Sequence, residues 1–180
     1  MAKPSTPTTS LFAALLAGTL ALPAFAAERA SARILDRQGT EVGTATLVEG
    51  PHGMLIHVVA KGLPPGSKAI HIHSVGSCED GAQGFVASKG HLNPAAKPHG
   101  LMNPDGPDAG DLPNLFVHAD GSVEAELFTT LASLSGAGGR AHILDADGAA
   151  LVIHENRDDH ASQPIGGAGG RFFCGVIGAR

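Results

Sequence analysis

Residues 140–154 read RAHILDADGAALVIH, two short apolar runs on either side of an Asp-Gly pair. Asp-Gly between strand-like runs is the strongest short hairpin signal, because both residues tolerate the positive φ of a tight two-residue turn. The same pattern recurs in residues 114–128, NLFVHADGSVEAELF, and other short runs lie nearby: TATLVEG, MLIHVVAKGLPPG, KAIHIH and RFFCGVIG. Glycine (25 residues) and proline (12) punctuate them, Trp and Tyr are absent, and no amphipathic stretch is long enough to predict a helix. Many short strands at this spacing predict an all-β fold, an antiparallel sandwich or barrel.

The first 26 residues stand apart. MAKPSTPTTS carries Lys3 and no acid, LFAALLAGTLAL is an apolar run, and AFA ends at Ala26 with small residues at the −3 and −1 positions. This is the pattern of a secretory signal peptide, too short and wrongly flanked for a membrane span; an uncleaved N-terminal anchor is the alternative. Cleavage leaves residues 27–180 as one domain without linker or repeat, and with no membrane segment. That chain carries 11 basic and 17 acidic residues, a formal charge of −6. No basic cluster invites nucleic acid, and the negative field repels small anions. Two cysteines, Cys78 and Cys174, lie beyond the signal. In an oxidising compartment the default for such a pair is a disulfide, with Cys78 as a metal ligand the competing reading.

The chemistry concentrates in histidines. In AIHIHSVGSC, residues 69–78, strand alternation sends His71 and His73 to one face and Ile70 and Ile72 to the other. The two imidazoles then lie roughly 7 Å apart, close enough to share a metal ion. Periodicity stops between Cys78 and Leu112, where residues 88–111 read SKGHLNPAAKPHGLMNPDGPDAGD. A loop this long needs something other than a core to hold it, and metal coordination is one candidate. It contains His91, His99, Asp108 and Asp111, a nitrogen and carboxylate set that suits tetrahedral zinc. Imidazoles on a strand face suit copper or zinc better than calcium or magnesium. His154 ends ALVIH and brings a further imidazole towards the first pair, and a second loop, residues 155–170, separates the last two strands. A lone His-x-His, or aspartates in a Gly/Pro loop, carry little weight. Five histidines and two aspartates together point to two metal sites in one neighbourhood.

The chain resembles the copper/zinc superoxide dismutases, especially their exported bacterial branch. The likeness rests on AIHIHSVGSC, GHLNP, HGLMNPDGP, AGDLPNL, VIHENRDD, QPIGGAGGR and FFCGVIG, in the family order over about residues 30–178. It implies an antiparallel Greek-key β-sandwich or barrel with a long metal-binding loop and a second loop near the active site. It further implies one copper and one zinc ion per subunit, superoxide as substrate, a periplasmic location, and either a monomer or a homodimer. His71, His73, His91 and His154 become the copper ligands, with His91 an imidazolate shared with zinc; zinc also takes His99, Asp111 and position 108. Cys78 pairs with Cys174, and Asp158 links a copper imidazole to a zinc imidazole. Arg171 stands at the channel mouth, where a fixed guanidinium binds and steers an anion. In the implied reaction one superoxide reduces Cu(II) and leaves as dioxygen. A second oxidises Cu(I), takes two protons and leaves as hydrogen peroxide, while His91 releases copper on reduction and carries a proton.

Position 108 departs from the family, which has histidine there. Asp108 either coordinates zinc, adding a negative charge, or turns outward and leaves zinc to three residues and water. His57, His118 and His142 read as ordinary strand-face residues and His52 as a turn residue. His160 and Arg157 at most add positive charge near the channel, solvation being the simpler reading. Two other functions compete. An exported copper carrier needs His71, His73 and His154 but has no use for Arg171, a bridging His91 or Asp158. A catalytically dead sandwich predicts eroded copper ligands, and none is eroded.

Overall fold

The structure, a computed structural model, describes Met1 and residues 28–179; the signal segment expected at 1–26 otherwise lies outside the described residues. Seven strands form one antiparallel sheet: β1 (Arg29–Asp36), β2 (Glu41–Gly50), β3 (Gly53–Ala60), β5 (Ile70–His73), β7 (Val123–Thr129), β10 (Ala149–His154) and β11 (Arg171–Ala179). Their order is β5-β10-β11-β1-β2-β3-β7, and the sheet curls into a half-barrel. Strands β1 to β3 follow one another as hairpins while β11 returns from the far end of the chain to lie beside β1, the ordering of a Greek key. Two small ladders pack residues into the same core through Leu115, Val117, Ala132 and Ala141: antiparallel β4 (Gly66–Lys68) with β6 (Leu115–Val117) and a parallel pair, β8 (Ala132–Ser133) with β9 (Ala141–His142).

The strands exist because their side chains alternate. In β3, Met54, Ile56, Val58 and Ala60 are buried while Leu55, His57 and Val59 face out, so one face meets the core. Strand β1, central in the sheet, is absent from the apolar runs read in the sequence. Its inward residues are Ala30, Ala32 and Ile34, too small to stand out, although their alternation with Arg29, Ser31 and Arg33 carries the signal.

The two Asp-Gly turns form, but the hairpins they predict do not. Gly121 (φ +79°) donates to His118 O, and Gly148 (φ +64°) donates to Asp145 Oδ1. Yet β6 pairs with β4 and β7 with β3, while β9 pairs with β8 and β10 lies between β5 and β11. Each turn is where the chain leaves one ladder for another. Inward residues on both sides, such as Leu115 and Val123, reach the common core from different sheets.

The long loop is anchored by backbone as well as by its polar side chains. It runs along the free edge of β5: Ile72 N–H donates to Gly110 O (2.9 Å), Leu92 N–H to Ile72 O (2.8 Å) and Ser74 N–H to Gly90 O (2.9 Å). These bonds set His71 opposite Asp111 and His73 opposite His91. Leu92 and Leu112 dip into the core, single apolar residues that leave no periodicity to read.

Candidate metal centre

Strand β5 supplies His71 and His73, the end of β10 supplies His154, and the long loop lays His91 against them. His71, His73 and His154 are at most 2% exposed. The His71 ring centroid is 4.1 Å from that of His91 and 4.9 Å from that of His154. One nitrogen of each ring is engaged. His71 Nε2–H donates to Asp158 Oδ2 (2.8 Å), His73 Nδ1–H to Lys89 O (2.8 Å) and His154 Nδ1–H to Gly169 O (3.3 Å), while His91 Nδ1 lies 2.9 Å from Asp108 Oδ2. The opposite nitrogens, His71 Nδ1 and Nε2 of His73, His91 and His154, are buried without a partner. Orphaned buried lone pairs are costly, so four in one place call for an ion. Burial pushes the basicity of His71 and His73 down, and burial with the neighbouring His71 holds His154 at about 3. These three imidazoles are therefore neutral at neutral pH, the form that binds a metal, whereas hydrogen bonds to Asp108 and Asp111 outweigh burial and raise His91.

The second cluster joins His91, His99, Asp108 and Asp111, whose ligand atoms lie within 4.8 Å of one another. Asp108 is turned inward: it is 3% exposed, and its Oδ1 accepts the Gly110 N–H at 2.9 Å. The outward orientation weighed from the sequence is not the one present. Asp111 Oδ1 accepts from His99 Nδ1 at 2.5 Å and faces His91 Nδ1 at 3.4 Å, while its Oδ2 accepts the N–H groups of Gly100 and Asp108. Burial alone would raise the Asp111 pKa, but the imidazole and backbone donors outweigh it and hold the carboxyl well below its usual range. Burial would likewise lower His99, but hydrogen bonds to Asp111 and Asp158 raise it to about 10. Two nitrogens and two carboxylates at this spacing fit zinc.

Asp158 connects the clusters. Buried completely, it accepts from His71 through Oδ2 and from His99 Nε2 through Oδ1 (3.1 Å). Gly166 explains part of the glycine run in the second loop: at φ +59° it packs so closely that a Cβ would overlap Asp158 Oδ1. Above the centre lies a cavity lined by His73, His91, Lys97, His154, Ile165 and Arg171, among others. Arg171 Nη1 donates to Phe85 O (2.8 Å) and Ser88 Oγ (3.3 Å). The Cys78–Cys174 disulfide is present and ties the loop bearing Phe85 and Ser88 to β11.

Other residues have no signature in the sequence. Arg37 Nε donates to Arg171 O (2.8 Å) and its guanidinium lies 4.6 Å over the Phe172 ring, a contact between residues 134 apart. Asn114 grips the second loop, accepting Asp158 N–H (2.8 Å) and donating to Asp158 O (2.9 Å). His160, expected near the channel or in solvent, does neither; it packs on Asn114 and Asp158. Arg157, His52, His57, His118 and His142 are exposed, as their sequence contexts suggest.

Residues 41–177 match the family described as copper/zinc superoxide dismutase (SODC). A superoxide dismutase [Cu-Zn] of Caulobacter vibrioides is 50% identical over 149 residues, covering 82% of this chain and 84% of the relative. The chain belongs to the copper/zinc superoxide dismutase family. Superoxide dismutase [Cu-Zn] 2 of Aquifex aeolicus is 41% identical, covering 91% of this chain and 96% of that one. Among solved structures, a SOD-like protein from Bacillus subtilis is similar at a TM-score of 0.76 with 39% identity, covering 81% of this chain and 96% of that chain. The Cu/Zn superoxide dismutase from Brucella abortus is similar at 0.65 with 30% identity, covering 84% and 100%. The chain is accordingly an enzyme that acts on superoxide, with copper and zinc as its cofactors.

Proposed function

We propose that the chain is exported and removes superoxide outside the cytoplasm, holding copper through His71, His73, His91 and His154 and zinc through His91, His99, Asp108 and Asp111. The observation that carries this reading is the set of four unpartnered imidazole nitrogens beside a His/Asp cluster that shares His91. When bound, copper supplies a one-electron Cu(II)/Cu(I) couple and zinc a redox-inert charge. The chain's own groups do the rest. His91 keeps Nδ1 among carboxylates and presents Nε2, where a proton is held for the departing product. Arg171 is fixed by Phe85 and Ser88, and its remaining donors bind the superoxide anion in the cavity it lines. That local positive charge offsets the field of an acidic chain. Asp158 fixes the rings of His71 and His99 together, so the two clusters keep their relative orientation. A copper carrier would have no use for the Arg171 clamp, the shared His91 or the Asp158 link.

Arg171→Ala is expected to lower the dismutation rate at least tenfold while copper content, by elemental analysis, stays unchanged, in line with the rate effects of electrostatic steering, roughly 10 to 10³. Copper loss in that variant would overturn the anion-binding role. Export is tested by fractionating bacteria that express the full chain. Periplasmic protein beginning at Ala27 supports it, and full-length protein retained in the cytoplasm would overturn it.

A further inference from the structure

Asp158 is approached by three imidazoles, and the third, His160, belongs to neither proposed ligand set. Its Nδ1 lies 3.6 Å from Asp158 Oδ2. The His160 tautomer follows from Asn114. Asn114 Oδ1 accepts the Asp158 N–H and Nδ2 donates to the Asp158 carbonyl, so flipping the amide would set donor against donor and acceptor against acceptor. The same Nδ2 lies 3.0 Å from His160 Nε2. An amide nitrogen donates, so Nε2 carries the lone pair and the proton sits on Nδ1. That Nδ1–H is buried without a hydrogen-bond partner, and the carboxylate it faces is Asp158. The backbone of His160 is fixed as well. Its N–H donates to Asp158 Oδ1 (2.6 Å), its carbonyl accepts Met102 N–H (2.9 Å) from the long loop, and its φ is +63°, a conformation that costs a non-glycine residue energy.

We propose that His160 is a positioning residue for Asp158: its backbone N–H bonds Oδ1, its Nδ1–H dipole faces Oδ2 from 3.6 Å, beyond hydrogen-bond range, and the two together favour the carboxylate orientation that joins His71 to His99. The inference rests on the reading of Asp158 as the link between the copper and zinc sites. It explains why a ring is kept in a left-handed backbone position between the two loops, where neither channel charge nor solvation uses it. The carboxylate's bonds to the two ligand rings then do not depend on those rings alone.

The test compares His160→Asn with His160→Gln in the copper- and zinc-loaded enzyme. Asn places an amide nitrogen at the Nδ1 position and tolerates positive φ. Gln reaches the Nε2 position and keeps the Asn114 contact but offers no donor where Nδ1 was. Zinc retention against a chelator and the visible spectrum of cobalt(II) loaded in place of zinc are the readouts. Outer partners of metal ligands are worth about 10- to 100-fold in affinity, and His160 acts through one such partner, so the low end applies. Zinc retention is expected to fall about tenfold in the Gln variant with a shifted cobalt spectrum, while the Asn variant stays close to the wild type. Equal loss in both variants, or no change in either, would overturn the proposal. Asp158→Asn separates the two readings. If it weakens zinc while His160→Gln does not, the link stands and the role of His160 falls; if Asp158→Asn changes neither readout, the link itself falls.

Discussion

Replacing both Cys78 and Cys174 by alanine removes a cross-link between residues 96 apart in sequence. On the chain-entropy treatment, a closed loop of that length restrains the unfolded chain by about 15.7 cal/mol/K, or about 4.7 kcal/mol at 25 °C. For a domain of this size, that corresponds to a melting temperature lowered by roughly 10–20 °C. The native state changes little by comparison: Cys174 sits in a small buried cluster with Phe85, Ala150 and Val152, and alanine keeps that surface apolar. Urea unfolding of the metal-free protein and the variant, extrapolated linearly to water, measures the difference. A loss of about 4–5 kcal/mol is expected. A loss below about 1 kcal/mol would refute the reasoning, since it would mean that the cross-link scarcely restricts the unfolded ensemble. The same variant is expected to dismutate superoxide more slowly when loaded, because the freed loop carries the Phe85 carbonyl and Ser88 hydroxyl that fix Arg171.

Gly166→Ala forces a Cβ into Asp158 Oδ1 and is expected to cost at least about tenfold in zinc retention against a chelator; unchanged retention would show that the carboxylate can move freely. Asp108→Ala removes an inward carboxylate from the second cluster, so zinc is expected to be lost and copper kept, as elemental analysis of the dialysed protein would show. The metal-free protein is expected to be most stable near pH 6.5. Below that, His154, held at about 3, stays neutral while the unfolded chain takes up a proton, so stability falls as pH drops from 6.5 towards 3. Asp111 and Asp158, both held low, add a further loss below their ordinary value of 3.8. Above pH 6.5, His99 keeps its proton until about 10, so the stability from its carboxylate partners is lost across that window. Urea midpoints at pH 4, 6.5 and 9 test the maximum, and a midpoint that only rises or only falls with pH would contradict it.

The sequence discloses the centre more fully than the framework around it. His71 and His73 are legible because strand alternation fixes their common face, and the loop ligand candidates are legible because a Gly/Pro-rich stretch has no other use for buried histidines. Strand β1 is hidden because alanine, not a large aliphatic side chain, fills its inward positions. The Asp-Gly pairs announce turns correctly, but which strand pairs with which is decided by core packing far from the turn. Arg37 and Asn114 act through contacts with residues 134 and 44 positions away, and His160 meets Asn114 across 46, so no local pattern marks them. The inward turn of Asp108 rests on Gly110, whose N–H binds it and whose own position is set by the edge of β5.

The most direct test is the stopped-flow dismutation rate of the chain from residue 27 onward, loaded with one copper and one zinc and with metal content measured on the same sample. The account predicts kcat/KM near the diffusion ceiling of about 10⁸–10⁹ M⁻¹s⁻¹, a limit that superoxide dismutases are known to reach, with both metals retained. A fully copper-loaded chain that turns over orders of magnitude more slowly would contradict it, and would show that Asp108 in the second cluster has uncoupled metal binding from catalysis.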